Sequence, residues 1–347
     1  MIHVNKKGIV LRKREIEFEN EGVLNPAVIM EDNTIHMFYR AVRKGNYSSI
    51  GYCSFTDPLV VDTRNQEPFL FPQFEYESHG MEDPRIVRID DQYYLSYTGY
   101  DGNNALGALA LSKDLKHFDK VGLIVPKMTY HSFCHLTATK NDINEKYLRY
   151  NDNERFRNKA DKDIYVWDKN VIFFPRRING KLCFMHRIKP DIQLVMIDEL
   201  DELNHEFWEQ YFLQLNEHIL LTPKFKHEVS YIGGGCPPIE TKEGWLIIYH
   251  SVFDTIKGYV YCACAALLAL DDPKKEISRL PYALFKPDQE WELKGEVNNV
   301  CFPTGAIVIE EDLYIYYGAA DEQIACATIN LPGLLEELLS YQHTEPK

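Results

Sequence analysis

Two carboxylates and a guanidinium fall within four positions in the stretch Gly80-Met81-Glu82-Asp83-Pro84-Arg85. Acids and a cation set so closely in a strand are costly to bury unless they face a polar cavity. A carboxyl group perturbed by such surroundings is the kind of group that proton transfer uses. The same residues also fit a structural device, in which an aspartate caps the turn before a proline and Arg85 pairs with it; spacing alone favours neither. Polar residues recur at comparable places. Asn25 precedes Pro26 as Asp83 precedes Pro84, and Arg40, Arg187 and His250 each close an apolar run. One acid among several cations suits an acid working beside a bound anion or a polyhydroxylated ligand.

Residues so scattered meet only if the fold gathers them. Five segments share one pattern: a proline opens a short apolar run, a polar turn follows, and a second β-branched and aromatic run closes on a polar or charged side chain. They are Pro26 to Arg40, Pro84 to Thr98, Pro175 to Arg187, Pro238 to His250 and Pro303 to Gly318. Each reads as a hairpin, and repetition on this scale signals a radial or solenoidal β-architecture. Short apolar runs at Ser48 to Phe55, Gly107 to Ser112 and Tyr259 to Leu270 read as second hairpins that complete each sheet. The expectation is an all-β chain, a five-bladed β-propeller with a central active-site pocket, forming a single domain over residues 1–347. Residues 129–162 are polar and long, and read as an inserted loop or lid. Asp198 to Tyr211 is acidic and helix-compatible, and Leu331 to Tyr341 reads as a short C-terminal helix capping the ring from outside.

Composition bounds the function. The chain of 347 residues is 45% apolar and 13% aromatic, enough for a large core built mainly of strands. A net charge of −14 argues against a nucleic-acid partner, because phosphate backbones are held by basic surface. No stretch approaches the roughly 18 apolar residues of a membrane span. The start MIHVNKKGIVLRKREIEF lacks the apolar core of a signal peptide, so a cytoplasmic location is expected. Eight cysteines are scattered without a CxxC pair, which predicts reduced structural thiols and no metal site. No segment marks a subunit contact, and a homo-oligomer is left open.

The motifs GMEDPRI, KNVIFFPRRINGK, GWLIIYH, NVCFPTGA and IYYGAAD, in that order, resemble glycoside hydrolase family 130, the β-mannoside phosphorylases and related β-mannosidases. The resemblance runs from about Asn25 to Leu335. It implies a five-bladed β-propeller with its site in the central pocket, acting on a β-mannoside oligosaccharide with inorganic phosphate as co-substrate and no cofactor. Asp83 is then the general acid of an inverting reaction, protonating the glycosidic oxygen through a mannose hydroxyl while phosphate attacks C1 from the opposite face. Inverting glycosidases use a second carboxylate to activate water; phosphate is already anionic and needs cations to position it.

By the same resemblance, Lys169, Asn170, Arg187 and His250 hold phosphate, Arg187 as a planar fork. Asn25, Arg40, Arg43, Arg85, Asp101 and Asp321 match or lie near positions that hold the sugar. One departure stands out: Tyr231 occupies the place of a lysine common among the phosphorylases, just before Ile232-Gly233-Gly234-Gly235. A phenol can donate a hydrogen bond to phosphate but brings no charge. The alternative is therefore an inverting β-mannosidase for β-1,2-linked substrates, with Glu228 as the base that activates water. A non-catalytic sugar-binding propeller is the third reading, and the intact acid and cation set speaks against it.

Overall fold

A computed structural model describes residues 2–140, 143–148, 164–256 and 258–342. The architecture is all-β with few helices. Strand β1 covers Asn5–Leu11, and the following strands run as antiparallel meanders. The first comprises β2 (Gly22–Glu31), β3 (Thr34–Arg43), β4 (Tyr47–Phe55) and β5 (Thr63–Arg64); the second, β6 (Gly80–Ile89), β7 (Gln92–Tyr100), β8 (Ala105–Ser112) and β9 (Asp119–Leu123). The third holds β10 (Lys169–Phe173), β11 (Leu182–Arg187), β12 (Ile192–Ile197) and β13 (Ile219–Leu221). The fourth holds β14 (Tyr231–Gly234), β15 (Ile239–Glu240), β16 (Trp245–Thr255), β17 (Gly258–Leu268) and β18 (Glu276–Arg279). The last, β19 (Cys301–Ile309), β20 (Asp312–Ala319) and β21 (Gln323–Asn330), is completed by β1, which pairs with β21. The first two meanders form one eight-stranded sheet through a single parallel bridge, Ser48 to Gly80. The other three are separate sheets, and none closes on itself.

Local chemistry explains the hairpins. Asp32-Asn33 and Asn179-Gly180 have positive φ at both positions, the conformation of tight hairpin turns, and Asn, Asp and Gly tolerate it best. The runs at 48–55, 107–112 and 259–270 are indeed strands, but each is a single strand, β4, β8 or β17, paired with β3, β7 or β16 respectively. The proline pattern misplaces two first strands: Pro175 and Pro238 lie downstream of β10 and β14, which begin at Lys169 and Tyr231. A proline gives no N–H to a ladder, so it marks connections as readily as strand starts.

A buried hub recurs in four meanders. A fully buried glutamate, Glu19, Glu77, Glu228 or Glu292, accepts the hydroxyl of Tyr39, Tyr97, Tyr249 or Tyr317 respectively. Each also has a cation: Arg64 at 2.8 Å, Lys120 at 2.7 Å, Arg279 at 3.5 Å and Lys6 at 2.6 Å. Burying a charge is tolerable only when it is paired and hydrogen-bonded, and all four glutamates meet that condition. The tyrosine always precedes the residue that closes the apolar run: Arg40, Thr98, His250 or Gly318. In the third meander His186 takes this place before Arg187, bridging Asp168 (2.8 Å) and the Tyr211 hydroxyl (2.7 Å). Strand alternation then turns the next side chain to the opposite face.

Helix α1 (Tyr130–Lys140) opens the expected insertion, so that segment does not begin as a loop. Its Phe133 is fully buried against Phe212 of α2 (His205–Leu213), ring centres 5.4 Å apart. Much of the remainder to residue 162 lies outside the described residues, and so does the lid expectation. A short turn α3 (Glu290–Leu293) carries Glu292, and α4 (Leu331–Ser340) forms where a C-terminal helix is expected, burying Leu334 and Leu338. Seven of the eight cysteines are buried. No described helix is long and apolar enough to cross a membrane.

Candidate active site

Three first strands bend at the same place. Asn25, Asp83 and Asn170 have φ of 50°, 49° and 54°, and the ladders of β2, β6 and β10 slip at each of them. Such bulges re-aim a side chain out of the pleat. Asn and Asp are the non-glycine residues that best tolerate this conformation. All three side chains line one cavity of about 550 Å³, together with Arg40, Trp167, Lys169, Arg187, Lys189, Tyr231, Tyr259, Tyr261, Val300, Phe302 and Asp321. Gly318 leaves room for this approach, since a Cβ there would sit 2.0 Å from Asn25 Oδ1.

One side of the cavity is acidic and compensated. Asn25 Nδ2 donates to Asp83 Oδ1 at 2.7 Å, and Arg40 lies 2.8 Å from Glu82 and 3.8 Å from Asp83. Lys169 Nζ is 3.2 Å from Glu82 Oε2 and 5.8 Å above the Trp167 ring. Burial pushes the Asp83 carboxyl up, but Lys169, Arg40, Arg85 and the Asn25 hydrogen bond together hold it below the usual carboxylate range. Asp321 goes the other way. Burial, reinforced by the charge of Asp83 and only partly opposed by Arg40, pushes it up to about 6. Two carboxylates of one cavity are thus driven apart in acidity, with Asp83 held ionised by the cations around it.

The other side is cationic and aromatic. The Arg187 guanidinium lies 5.3 Å from the centre of the Tyr231 ring and the Lys189 ammonium 4.4 Å from it. The Tyr231 and Tyr261 hydroxyls are 2.9 Å apart, and burial keeps the Tyr231 phenol protonated by raising it well above its usual range. His250 is fully buried behind them. Burial, helped by Arg187 and Arg85, holds it neutral, well below the usual imidazole range. Its Nδ1 donates to the Gly234 carbonyl at 3.2 Å, leaving Nε2 as an acceptor. Gly233 permits this packing: a Cβ there would lie 2.4 Å from His250 and 2.8 Å from Arg187. Asn25 Oδ1, Asn170 Oδ1, Arg187 Nε and His250 Nε2 are buried without a hydrogen-bond partner among the described residues. A buried polar group left unmet costs about 1–3 kcal/mol. Three of these atoms belong to residues that line the cavity and the fourth, on His250, lies just behind Tyr231 and Arg187, which marks a place shaped for a polar ligand.

Of the residues singled out in the sequence, Asn25, Arg40, Asp83, Lys169, Asn170, Arg187, Tyr231 and Asp321 converge on this cavity. Four expectations are corrected. Arg85 does not face the sugar space. It is buried beneath the site, donating to the carbonyls of Asp83 and Pro84 at 3.0 Å each and to that of Gly235. Arg43 stands at a separate outer pocket. Asp101 is folded into a turn, accepting from the backbone of Asn103 (2.8 Å) and Asn104 (2.7 Å). Glu228 is a hub glutamate, bound by the backbone of Lys224 (2.6 Å) and Phe225 (3.0 Å) and by Tyr249. It does not line the cavity that holds Asp83, and each of its oxygens is already occupied. Lys189 and Trp167 escaped the sequence reading. Alternation offered a signal for Lys189, since Arg187-Ile188-Lys189 sets both cations on one face with Ile188 buried on the other.

A family model described as beta-1,4-mannooligosaccharide phosphorylase matches residues 6–339. This chain belongs to glycoside hydrolase family 130. A 1,2-β-oligomannan phosphorylase of Thermoanaerobacter sp. (strain X514) is 30% identical over 341 residues, spanning 95% of this chain and 97% of the relative. A β-1,2-mannobiose phosphorylase of the same strain is 32% identical over 346 residues, with the same coverage. Among solved structures, a β-1,2-mannobiose phosphorylase from Listeria innocua in complex with β-1,2-mannobiose superposes with a TM-score of 0.72 at 22% identity. The match covers 97% of this chain and 99% of that one, and it speaks for the fold. Four of the five motifs that suggested the family from sequence supply cavity-lining residues, among them Asp83, Lys169, Asn170, Phe302 and Asp321, and the fifth, GWLIIYH, ends on His250 behind the cavity.

Proposed function

We propose that this family 130 member is an inverting β-mannoside phosphorylase, and that its substrate is β-1,2-linked mannoside, the linkage named for both full-length relatives. The observation that carries the reading is the cationic half of the cavity. Arg187, Lys189 and Tyr231 line a space with the orphaned acceptor Asn170 Oδ1, and His250 Nε2, a second orphaned acceptor, is buried behind them. This suits a partly protonated anion: cations take its charged oxygens, and an acceptor takes its P–OH. Lys189 brings to this half the charge that Tyr231 does not. Arg40, Asn25 and Asp321 then hold the mannose, and Lys169, tied to Glu82, borders both halves.

A phosphate oxygen attacks C1 of the terminal mannosyl unit, the C1–O bond to the rest of the chain breaks, and the departing oxygen takes a proton that originates on Asp83. The products are α-mannose 1-phosphate and a mannoside one unit shorter. Lys169, Arg40 and Arg85 favour the ionised form of Asp83 before substrates bind. Phosphate adds negative charge and substrate expels water, and both changes raise its pKa, so the acid forms in the ternary complex. The hydrolytic alternative rests on Tyr231 in place of a lysine and on Glu228 as the base; Lys189 supplies the charge that Tyr231 lacks, and the oxygens of Glu228 are committed to its hub.

We also read the fold as one five-bladed β-propeller. First strands touch successively, β2 beside β6, β6 beside β10 and β10 beside β14, while β19 packs on β16 and β17 and again on β2. β1 from the N-terminal end completes the last sheet. The function is tested by incubating the protein with β-1,2- and β-1,4-mannobiose, with and without phosphate. Mannose 1-phosphate formed only with phosphate is the expected result, and free mannose released without phosphate overturns it.

A further inference from the structure

We infer that a run of aromatic rings leads from the catalytic cavity to an outer pocket and binds the acceptor end of a mannoside longer than a disaccharide, an inference resting on the phosphorylase reading. Trp167 lines both the cavity and an adjoining recess of about 580 Å³, which Tyr100 also borders. From Trp167 the ring centres step 6.3 Å to Tyr100, 5.4 Å to His79 and 4.3 Å to Tyr47. Tyr47 belongs to the wall of a second pocket of about 530 Å³, with Arg43, Ser48, Ser49 and Gln66.

All four rings sit at one end of the sheets. Tyr47 opens β4, His79 immediately precedes β6, Tyr100 ends β7 and Trp167 precedes β10. The bulges that present Asn25, Asp83 and Asn170 lie near the same strand ends. Every ring is partly exposed, and Tyr47 keeps 39% of its surface. The rings are also held in place. Trp167 Nε1 donates to the Asn103 carbonyl and the Tyr100 hydroxyl to that of Gly102, both at 2.9 Å. The turn that offers those carbonyls is the one Asp101 organises, which gives Asp101 a positioning role outside the cavity. Arg43 covers Tyr47 at 5.2 Å.

Fixed half-exposed rings edged by serines, an amide and a guanidinium match a sugar chain, whose C–H faces lie on aromatic surface while its hydroxyls find hydrogen bonds. A terminal mannosyl unit held beside Asp83 leaves the remainder of the chain to pass Trp167. Anchored rings bind at low entropic cost.

The test is phosphorolysis of β-1,2-mannosides from two to five units, with wild type and Tyr47→Ala, alongside calorimetric binding of the biose and tetraose. Wild type is expected to favour the tetraose about tenfold in kcat/KM, and Tyr47→Ala to lose most of that gain while its mannobiose kinetics stay unchanged; Tyr47→Phe should retain it. Equal efficiency at all lengths in wild type, or a loss in Tyr47→Ala that is uniform across lengths, overturns the track. If no mannoside is phosphorolysed, the functional reading fails. Tighter tetraose binding that depends on Tyr47 would still uphold the track, and its absence would end it.

Discussion

Replacing Lys189 by methionine probes the anion half of the site most directly. Methionine keeps the length of the stem and removes the charge. A phosphate oxygen about 4 Å from the ammonium gains about 4 kcal/mol per unit charge at an effective dielectric constant near 20. Lys189 is only partly buried, and solvent screening reduces this to roughly 1.5–3 kcal/mol. The phosphate KM should therefore rise about tenfold to a hundredfold, with the mannobiose KM little changed. Lys189→Arg should recover most of the loss. Tyr231→Lys in the Lys189→Met background is the sharper variant, because the Lys189 ammonium lies 4.4 Å from the Tyr231 ring and a lysine at 231 reaches the same space. The assay is initial rate against phosphate concentration at saturating mannobiose, repeated against mannobiose at saturating phosphate. A phosphate KM within twofold of wild type in Lys189→Met would refute the assignment, as would an equal rise in both KM values, which marks a structural defect.

Asp83→Asn should lower kcat at least a thousandfold while leaving the melting temperature within a few degrees; near-normal turnover would remove Asp83 from the acid role. Asp321 has a raised folded-state pKa, so the folded chain binds its proton more tightly than the unfolded chain does. Its contribution to stability is full below pH 3.8 and lost as pH rises through about 6. Asp321→Asn should accordingly stabilise at pH 7.5 by up to about 3 kcal/mol, with the gain fading towards pH 4; a melting difference independent of pH would contradict this. Glu228→Ala should destabilise by about 3–5 kcal/mol in denaturant unfolding, because it leaves the backbone N–H groups of Lys224 and Phe225 and the buried Tyr249 hydroxyl without their acceptor. Its phosphorolysis should persist below the melting transition, whereas a selective loss of turnover in a stable protein would restore a catalytic role.

Asn25 and Asp83 were legible because a proline follows each: the proline interrupts the ladder and the polar residue before it takes the bulge. Asn170 sits in the same conformation with Val171 after it, so nothing local announces it. The prolines at 175 and 238 lie in connections, and counting from them displaces two first strands. A truer repeat is the pair at the end of the second strand: Tyr39-Arg40, Tyr97-Thr98, His186-Arg187, Tyr249-His250 and Tyr317-Gly318. Its first member faces a buried hub and its second the opposite side. The hubs themselves were hidden, since Glu19 lies 20 residues before Tyr39 while Glu292 lies 25 before Tyr317, and no short-range pattern links such partners. For that reason the sequence offers Glu228 as a base under the hydrolase alternative. Viewed alone it is an acid near a glycine-rich segment; beside Glu19, Glu77 and Glu292 it is one of a set.

The acids of this chain also explain how a protein of net charge −14 can hold an anion at its centre. Exposed carboxylates act weakly beyond a screening length of about 8–10 Å, and the four hub glutamates are each neutralised by their own cation. The cavity therefore feels mainly its lining, where Arg40, Lys169, Arg187 and Lys189 stand against Asp83 and Asp321, with Glu82 clamped between two of the cations. That balance bears on the choice of nucleophile. With only water beside it, Asp83 stays ionised under Lys169 and Arg40 and has no proton to give. On the proposed mechanism, phosphate supplies both the attacking oxygen and the negative field that lets Asp83 take up a proton. In this reading the nucleophile and the acid arrive together, and the cations that depress Asp83 at rest protect the mannoside from water.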